Sequence, residues 1–185
     1  MLIKYLVCSA IFLLFSFLVF RVVVRKDYLK NSKLSPVSYS LEAIVFAVHA
    51  NLIYLFIPVK WPDLPALPED LTLKLIFLAI LCLGLVILII AWFGLGTKRS
   101  FGQDKNKLKT SGIYKYSRNP QLVGYGIILL SFAILFISWY AVGWFVQYLI
   151  ISYLMILSEE EFLNLSYGAE YENFCKAVPR IIKLF

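Results

Sequence analysis

The chain has 185 residues, of which 61% are hydrophobic, 17% aromatic and 16% charged, and its formal net charge at pH 7 is +7. Soluble domains carry roughly 25% charged residues, so this composition excludes an ordinary soluble domain. The positive charge does not indicate nucleic acid binding, because the basic residues flank apolar runs and no RNA- or DNA-binding motif accompanies them. Such residues are typical of topology signals and of contacts with anionic lipid headgroups.

Apolar runs recur along the whole chain at a length that suits a bilayer. Crossing the hydrocarbon core takes about 20 apolar residues. The sequence therefore predicts an all-α integral membrane protein with a single domain and about five transmembrane helices. The last two are joined by a very short turn and are expected to pack as an antiparallel hairpin. The predicted helices comprise residues 3–24, 40–59, 72–95, 121–138 and 141–157.

Lysine and arginine are distributed unevenly among the predicted connections. Residues 21–40 and 96–120 are rich in both, whereas residues 60–74 carry two lysines and residues 138–143 carry neither. The positive-inside rule then predicts a cytoplasmic C-terminus and an N-terminus outside. The basic residues of the third connection are Lys98, Arg99, Lys105, Lys107, Lys109, Lys115 and Arg118.

A basic, aromatic segment at residues 112–124 separates two long apolar helices. Asn119 followed by Pro120 predicts a helix start, because an Asn side chain can cap free N–H groups and Pro suits the first helical position. The positive dipole end of that helix would attract a carboxylate or another anion. The alternative is that Asn-Pro only caps a span and that the basic residues only set the topology.

The predicted hairpin returns the chain to this segment at Ser158-Glu159-Glu160-Glu161. Ser158 and Glu161 have the spacing of a capping box, which predicts that a short helix starts there and gives the glutamates a purely structural role. Three carboxylates at the membrane surface beside a basic segment are also suited to bind hydroxyl or ammonium groups of a ligand. Both interpretations are compatible with the sequence.

Other polar residues give weaker signals. His49 and Asn51 lie inside a predicted span, where such groups usually bond a neighbouring helix but are sometimes functional. His49 is the sole histidine, so no nucleophilic triad is expected. Cys8, Cys82 and Cys175 are far apart, so we expect neither a metal site nor a disulfide framework.

Several short motifs of the C-terminal half, at about residues 90–183, also occur together in a known superfamily. They are Thr110-Ser111-Gly112-Ile113-Tyr114, Arg118-Asn119-Pro120, Gly124, Glu159-Glu160, Tyr167-Gly168-Ala169-Glu170-Tyr171 and Val178-Pro179-Arg180. This pattern resembles the isoprenylcysteine carboxyl methyltransferases and phospholipid methyltransferases, which are membrane enzymes that use S-adenosylmethionine without a Rossmann fold. The resemblance implies that residues 1–90 form N-terminal spans and that residues 91–185 form a cofactor-binding and catalytic half on the cytoplasmic side.

The resemblance also implies roles for individual residues. Arg118 and Glu160 would be catalytic: Arg118 would orient an acceptor carboxylate, and Glu160 or His49 would take a proton from an acceptor amine. S-adenosylmethionine needs acidic groups, N–H or Arg donors and aromatic faces, which this set supplies. The implied cofactor-binding residues are Gly94, Gly96, Tyr114, Asn119, Pro120, Glu159 and Glu160.

The expected function is thus S-adenosylmethionine-dependent methyl transfer to a lipid or prenylated substrate, most like isoprenylcysteine carboxyl O-methylation. Two residues depart from the pattern. Asn119 stands where many carboxyl methyltransferases have His, as in the phospholipid enzymes, and Leu122 stands where many members have an aromatic residue. The alternatives are a phospholipid (ethanolamine) N-methyltransferase, a non-catalytic membrane scaffold or carrier with the same fold, and a membrane reductase resembling the sterol reductases.

Overall fold

The computed structural model describes residues 1–63, 65–96 and 108–182, which form helices, turns and connections without any strand. The basic residues Lys98, Arg99, Lys105 and Lys107 lie outside this described part. The helices are α1 (Leu2–Asn31), which contains a π-helical segment at Leu18–Val24, α2 (Pro36–Asn51), which continues as a 3-10 turn at Leu52–Leu55, α3 (Leu71–Leu95), α4 (Pro120–Leu135), α5 (Trp139–Tyr167) and α6 (Ala169–Ala177). A further 3-10 turn spans Gly112–Lys115.

Four of the described helices are long and apolar enough to cross a membrane: α1, α2 with its 3-10 extension, α3 and α5. Helix α4 is apolar but has only 16 residues. The predicted all-α membrane fold is confirmed. Five crossings and the orientation in the membrane stay predictions.

The first two helices differ from their predicted bounds for local reasons. Helix α1 continues to Asn31 because its polar last turns still follow the helix geometry and end at Ser32, in the left-handed conformation. Helix α2 begins at Pro36, four residues before the predicted start, because the Ser35 side chain accepts a hydrogen bond from Ser38 N at 3.3 Å and Pro36 suits the first position.

The capping box predicted at Ser158 and Glu161 is wrong. Helix α5 runs without a break to Tyr167, and the short C-terminal helix starts at Ala169 after a glycine at φ +48°. The Ser158 hydroxyl is fully buried and donates to the carbonyl of Phe20 at 2.8 Å. The side chain therefore links α5 to α1, and the glutamates lie on a continuous helix.

Helices α3 and α4 approach each other closely through glycines. A Cβ added to Gly124 would lie 2.6 Å from Leu88 N, and one added to Gly84 would lie 2.8 Å from the Gly124 carbonyl oxygen. Small residues allow membrane helices to come into backbone contact in this way. The contact fixes the start of α4 beside the end of α3, where the functional site lies.

The main core lies between α1, α2 and α5. Phe20, Val45, Trp144 and Ile151 are buried there and pack in one apolar cluster. Tyr148 of α5 also donates to the carbonyl of Leu122, which joins α5 to α4. Helix α6 packs separately, through Tyr171 and Phe174.

Candidate active site

A cavity opens where the end of α3, the start of α4 and the last turns of α5 meet α6. Helix α1 contributes Tyr28, α3 contributes Leu95 and α6 contributes Tyr171 and Phe174. The lining therefore combines elements from both halves of the chain.

The residues predicted as site residues separate into two groups. Tyr114, Arg118, Asn119, Glu159 and Glu160 all line the cavity, although Glu159 and Glu160 follow Tyr114 by more than 40 positions in the sequence. The fold thus brings together the basic segment and two of the three glutamates of α5.

Gly94, Gly96 and Pro120 are not among the lining residues. Gly96 ends α3 at φ +82°, a conformation that side chains other than glycine rarely adopt. Leu95, between the two glycines, does line the cavity. Pro120 is fully buried as the first residue of α4, so its place in the site is to start that helix.

The Arg118 guanidinium contacts several polar groups around the cavity. Its Nη1 lies 2.8 Å from Glu160 Oε1, 3.0 Å from the Tyr171 hydroxyl and 2.7 Å from Cys175 Sγ. Its Nε is buried without a hydrogen-bond partner. The guanidinium is therefore fixed through Nη1, and its buried Nε–H has no partner among the described residues.

Glu160 is held between two arginines. Arg180 binds it in two-pronged fashion, through Nε at 2.9 Å from Oε1 and Nη2 at 2.6 Å from Oε2, and this hydrogen bonding raises the pKa of Arg180. Bidentate arginine–carboxylate pairs fix geometry as well as charge. The Glu160 carboxylate is thus oriented before any ligand binds.

The C-terminal segment around Arg180 is tied to the start of α4. Arg118 N donates to the carbonyl of Pro179 at 3.0 Å, and Asn119 Nδ2 donates to the carbonyl of Arg180 at 3.0 Å. The prediction that the Asn119 side chain caps α4 is therefore wrong, because this side chain bonds a segment 61 positions away. Sequence reasoning noticed Arg180 as part of a motif but did not assign it to the site.

Two tyrosines of the cavity remain hydrogen-bond donors. Burial raises the pKa of Tyr114, and the negative charge of Glu159 adds to the effect. Burial also raises the pKa of Tyr171, and the nearby charge of Glu160 acts in the same direction. Neither hydroxyl ionises near neutral pH, so both present O–H groups rather than phenolates.

Glu159 differs from its two neighbours in the sequence. Among the described residues, arginines pair with Glu160 and Glu161 but not with Glu159. Glu161 instead joins α5 to α1 through Arg21 at 2.6 Å and Arg25 at 2.5 Å. The three glutamates therefore lie in three different surroundings. Of these three, only Glu159 lines the cavity without an arginine partner among the described residues.

Several lining residues were not predicted from the sequence. Tyr28 stacks on Phe162 with ring centroids 4.6 Å apart, and both line the cavity. No local signal marks Tyr28, because it lies in a charged turn of α1 far from the recognised motifs. Met155, Leu163 and Phe174 give ordinary apolar helix patterns and were equally undetectable.

His49 lies away from the cavity. Its Nε2 is 2.9 Å from the carbonyl of Trp144, whose indole N–H donates to the carbonyl of His49 at 2.7 Å. The two rings stack with centroids 5.1 Å apart. The structure thus places His49 in the contact between α2 and α5, and does not bring it to the residues that line the cavity.

The sequence can now be compared with known families. The family model of the phospholipid methyltransferases matches residues 71–170, which is more than half of the chain. The chain belongs to the phospholipid methyltransferase family. The search of curated proteins and the search of solved structures each gave no match.

Membership in the phospholipid methyltransferase family identifies the protein as a membrane methyltransferase. The matched residues include Arg118, Glu159 and Glu160 but exclude α1 and α2. Tyr28 therefore reaches the cavity from a part of the chain that the family model does not cover. The region before residue 71 thus contributes a residue to the cavity lining.

Proposed function

We propose that the protein transfers a methyl group from S-adenosylmethionine to a lipophilic acceptor that enters the cavity from the bilayer. The observation that carries the proposal is the cavity itself, in which the Arg118–Glu160 pair and the unpaired Glu159 line one space at the ends of membrane helices. Family membership supports methyl transfer as the chemistry.

The residues present fit the cofactor. S-adenosylmethionine supplies a methyl carbon bonded to a positively charged sulfur, together with a carboxylate, an ammonium group and an adenine ring. The Nε of Arg118 is a donor suited to the cofactor's carboxylate, and the Glu160 carboxylate is an acceptor suited to its ammonium group. Tyr114 and Phe162 give the lining aromatic faces, which suit both an adenine ring and a cationic group.

The chain's own residues would mainly position the reactants. Glu160 is held by Arg118 and Arg180, so binding a ligand group to it requires little further ordering. The apolar side chains Leu95, Leu122 and Met155 line the same cavity and would help to keep water away from the reactants. Fixing two reactants in line can contribute on the order of 7–11 kcal/mol to the lowering of a barrier.

An amine on a phospholipid headgroup is the acceptor that the charges favour. The Arg118 guanidinium is already paired with Glu160, whereas the Glu159 carboxylate is unpaired among the described residues. An unpaired carboxylate attracts an ammonium group and repels an acceptor carboxylate. Glu159 would also receive the proton that an amine must lose before it can attack.

Carboxyl methylation of a prenylated thioether acid is the second candidate. The free Nε of Arg118 favours it, because this buried donor could bind and orient an acceptor carboxylate. A carboxylate is already a nucleophile at neutral pH and needs no base. The two candidates thus differ in which group of the cavity meets the acceptor, Glu159 or Arg118.

Membranes containing the full chain, incubated with methyl-labelled S-adenosylmethionine, test the proposal. We expect label in the extracted phospholipid fraction, and added N-acetyl-S-farnesylcysteine tests the second candidate in the same assay. The matched control is Glu170→Gln, an exposed residue of α6 outside the cavity lining, which should label as well as wild type. Absence of label from both acceptors, together with no binding of S-adenosylhomocysteine to the purified protein, would contradict methyl transfer.

A further inference from the structure

The segment that follows α6 joins two walls of the cavity without lining it. Arg180 is not among the lining residues, but its side chain binds Glu160 of α5 and its carbonyl accepts a hydrogen bond from Asn119 Nδ2 at 3.0 Å. Asn119, at the start of α4, and Glu160 both line the cavity. One residue outside the lining therefore connects two lining residues that lie far apart in the sequence.

The backbone of this segment is attached to α4 independently of the Arg180 side chain. Arg118 N donates to the carbonyl of Pro179 at 3.0 Å, and the Ser117 hydroxyl donates to the carbonyl of Arg180 at 3.3 Å. These bonds and the one from Asn119 use carbonyl groups, which every residue at these positions would offer. A change of the side chain at position 180 therefore leaves the backbone attachment in place and affects mainly the contacts with α5.

The Arg180 side chain contacts α5 at two points. Its Nε lies 2.9 Å from Glu160 Oε1 and its Nη2 lies 2.6 Å from Glu160 Oε2, while its guanidinium lies over the Tyr153 ring, 5.8 Å from the centroid. The Glu160 side chain is only 16% exposed, so protein groups rather than water set the orientation of its carboxylate. A two-pronged pair restricts both the position and the rotation of a carboxylate.

The second arginine also changes the charge around Glu160. Arg118 and Glu160 alone would form a neutral pair, whereas two guanidinium groups share one carboxylate when Arg180 is included. The group of three thus has an excess of positive charge next to the buried Nε of Arg118, which has no partner among the described residues. This excess favours a ligand that brings a carboxylate to Arg118.

We infer that Arg180 is a positioning residue for the amino-acid end of S-adenosylmethionine: it holds the Glu160 carboxylate in place beside Arg118 and does not contact the cofactor itself. This inference rests on the proposed function and extends it to a part of the chain that the family match, which ends at residue 170, does not cover. Its consequence is that cofactor affinity depends on the Arg180 side chain only as long as Glu160 is present.

A double-mutant cycle on the purified full chain in detergent tests this dependence. Titration calorimetry with S-adenosylhomocysteine, which keeps the ammonium and carboxylate groups, gives the affinities. Arg180→Gln should weaken binding by about 5-fold, within the roughly 2- to 10-fold that one hydrogen bond contributes. The same change made together with Glu160→Gln should cause no further loss, because two residues that act through one contact are not additive.

The matched control is Lys176→Gln, which removes an exposed cation of α6 outside the cavity lining and should bind S-adenosylhomocysteine as wild type does. Thermal unfolding without ligand separates positioning from a structural role. The midpoint of Arg180→Gln should stay close to that of wild type, because partly exposed ion pairs contribute little to stability. A lowered midpoint with normal affinity would make Arg180 a structural residue and overturn the inference.

Two further results would overturn it. An equal loss of affinity with and without Glu160 would show that Arg180 does not act through this carboxylate, and an unchanged or higher affinity of Arg180→Gln would show that it does not support binding. If Arg180→Gln does not fold, Arg180→Lys replaces it, because lysine keeps the charge and loses the two-pronged contact. The expected loss is then smaller but again depends on Glu160.

The failure of this inference can be distinguished from the failure of the proposed function. Methyl labelling by the wild type, with unchanged S-adenosylhomocysteine affinity in Arg180→Gln, would remove the role of Arg180 and leave the methyl transfer intact. A wild-type protein that neither labels an acceptor nor binds S-adenosylhomocysteine would remove both.

Discussion

The two ends of helix α5 carry polar groups of opposite kinds. At one end, Trp144 and His49 bond each other's backbone carbonyls and stack their rings. At the other end, Glu159 faces the cavity without a cationic partner among the described residues. These ends are about 22 Å apart, at 1.5 Å per residue along one helix.

The difference shows how a polar residue in a membrane helix is to be interpreted. Near Trp144, several polar side chains bond other helices: Gln147 Nε2 donates to the Tyr5 hydroxyl and to Ser9 Oγ, both at 3.0 Å. Gln147 Oε1 and His49 Nδ1 are buried there without a hydrogen-bond partner, but neither residue lines the cavity. Near Glu159, charged side chains line the cavity, and the Glu159 carboxylate has no cationic partner among the described residues. Groups satisfied by the protein hold helices together, whereas unsatisfied groups beside a cavity indicate a ligand.

The strongest test of this comparison is Glu160→Gln at the cavity end. We expect affinity for S-adenosylhomocysteine to fall by roughly 10- to 150-fold, because a charged hydrogen-bond partner is worth about 1.5–3 kcal/mol. The control is Glu161→Gln, whose carboxylate pairs with Arg21 and Arg25 rather than with cavity residues. Titration calorimetry should show near-normal affinity for the control. Equal losses in both variants would argue for a structural role of the whole glutamate run.

Arg118→Lys should give the next largest effect. Lysine keeps the charge but cannot reproduce the planar contacts with Glu160, Tyr171 and Cys175. We expect the single-turnover rate to fall by about 10-fold, with a smaller loss of cofactor affinity, if Arg118 positions the acceptor. Parallel losses in rate and affinity would instead place Arg118 on the cofactor's carboxylate. If the rate and the cofactor affinity both stayed at their wild-type values, a role of Arg118 in the reaction would be excluded.

His49→Leu probes the opposite end of α5. The change removes the bond from Nε2 to the Trp144 carbonyl and the stacking of the rings, so we expect a loss of stability of about 1.5–3 kcal/mol. Thermal unfolding in detergent measures the loss. Cofactor affinity and turnover of the folded variant should match wild type. If turnover fell while stability stayed normal, His49 would again be a candidate for the group that accepts the proton.

Tyr5→Phe should have the smallest effect. Its hydroxyl donates to the carbonyl of Tyr140 at 2.9 Å and accepts from Gln147, which keeps its bond to Ser9. A neutral hydrogen bond contributes about 0.5–1.5 kcal/mol, so the midpoint of unfolding should shift less than in His49→Leu. The reverse order of the two shifts would show that the Tyr5 network, and not the His49–Trp144 contact, is the main polar support of this end.

The sequence by itself determined the class of the protein and identified several of the polar residues that line the cavity. Apolar length and low charge content set an all-helical membrane fold, because backbone groups in a bilayer must be satisfied within helices. The motifs around Arg118 and Glu160 pointed to the same cavity that the structure contains. These features depend on chemistry that is local in the chain, so they could be recognised without coordinates.

Only the tertiary structure decided which partner each of these residues has. Ser158 and Glu161 have the local pattern of a helix cap, but contacts with α1 keep α5 continuous. Asn119 has the pattern of another cap, but its side chain bonds the Arg180 carbonyl. Tyr28 reaches the site from a helix whose sequence gives no sign of it. Packing between distant segments determines burial and hydrogen-bond partners, and neither quantity is encoded in the spacing of residues along one helix.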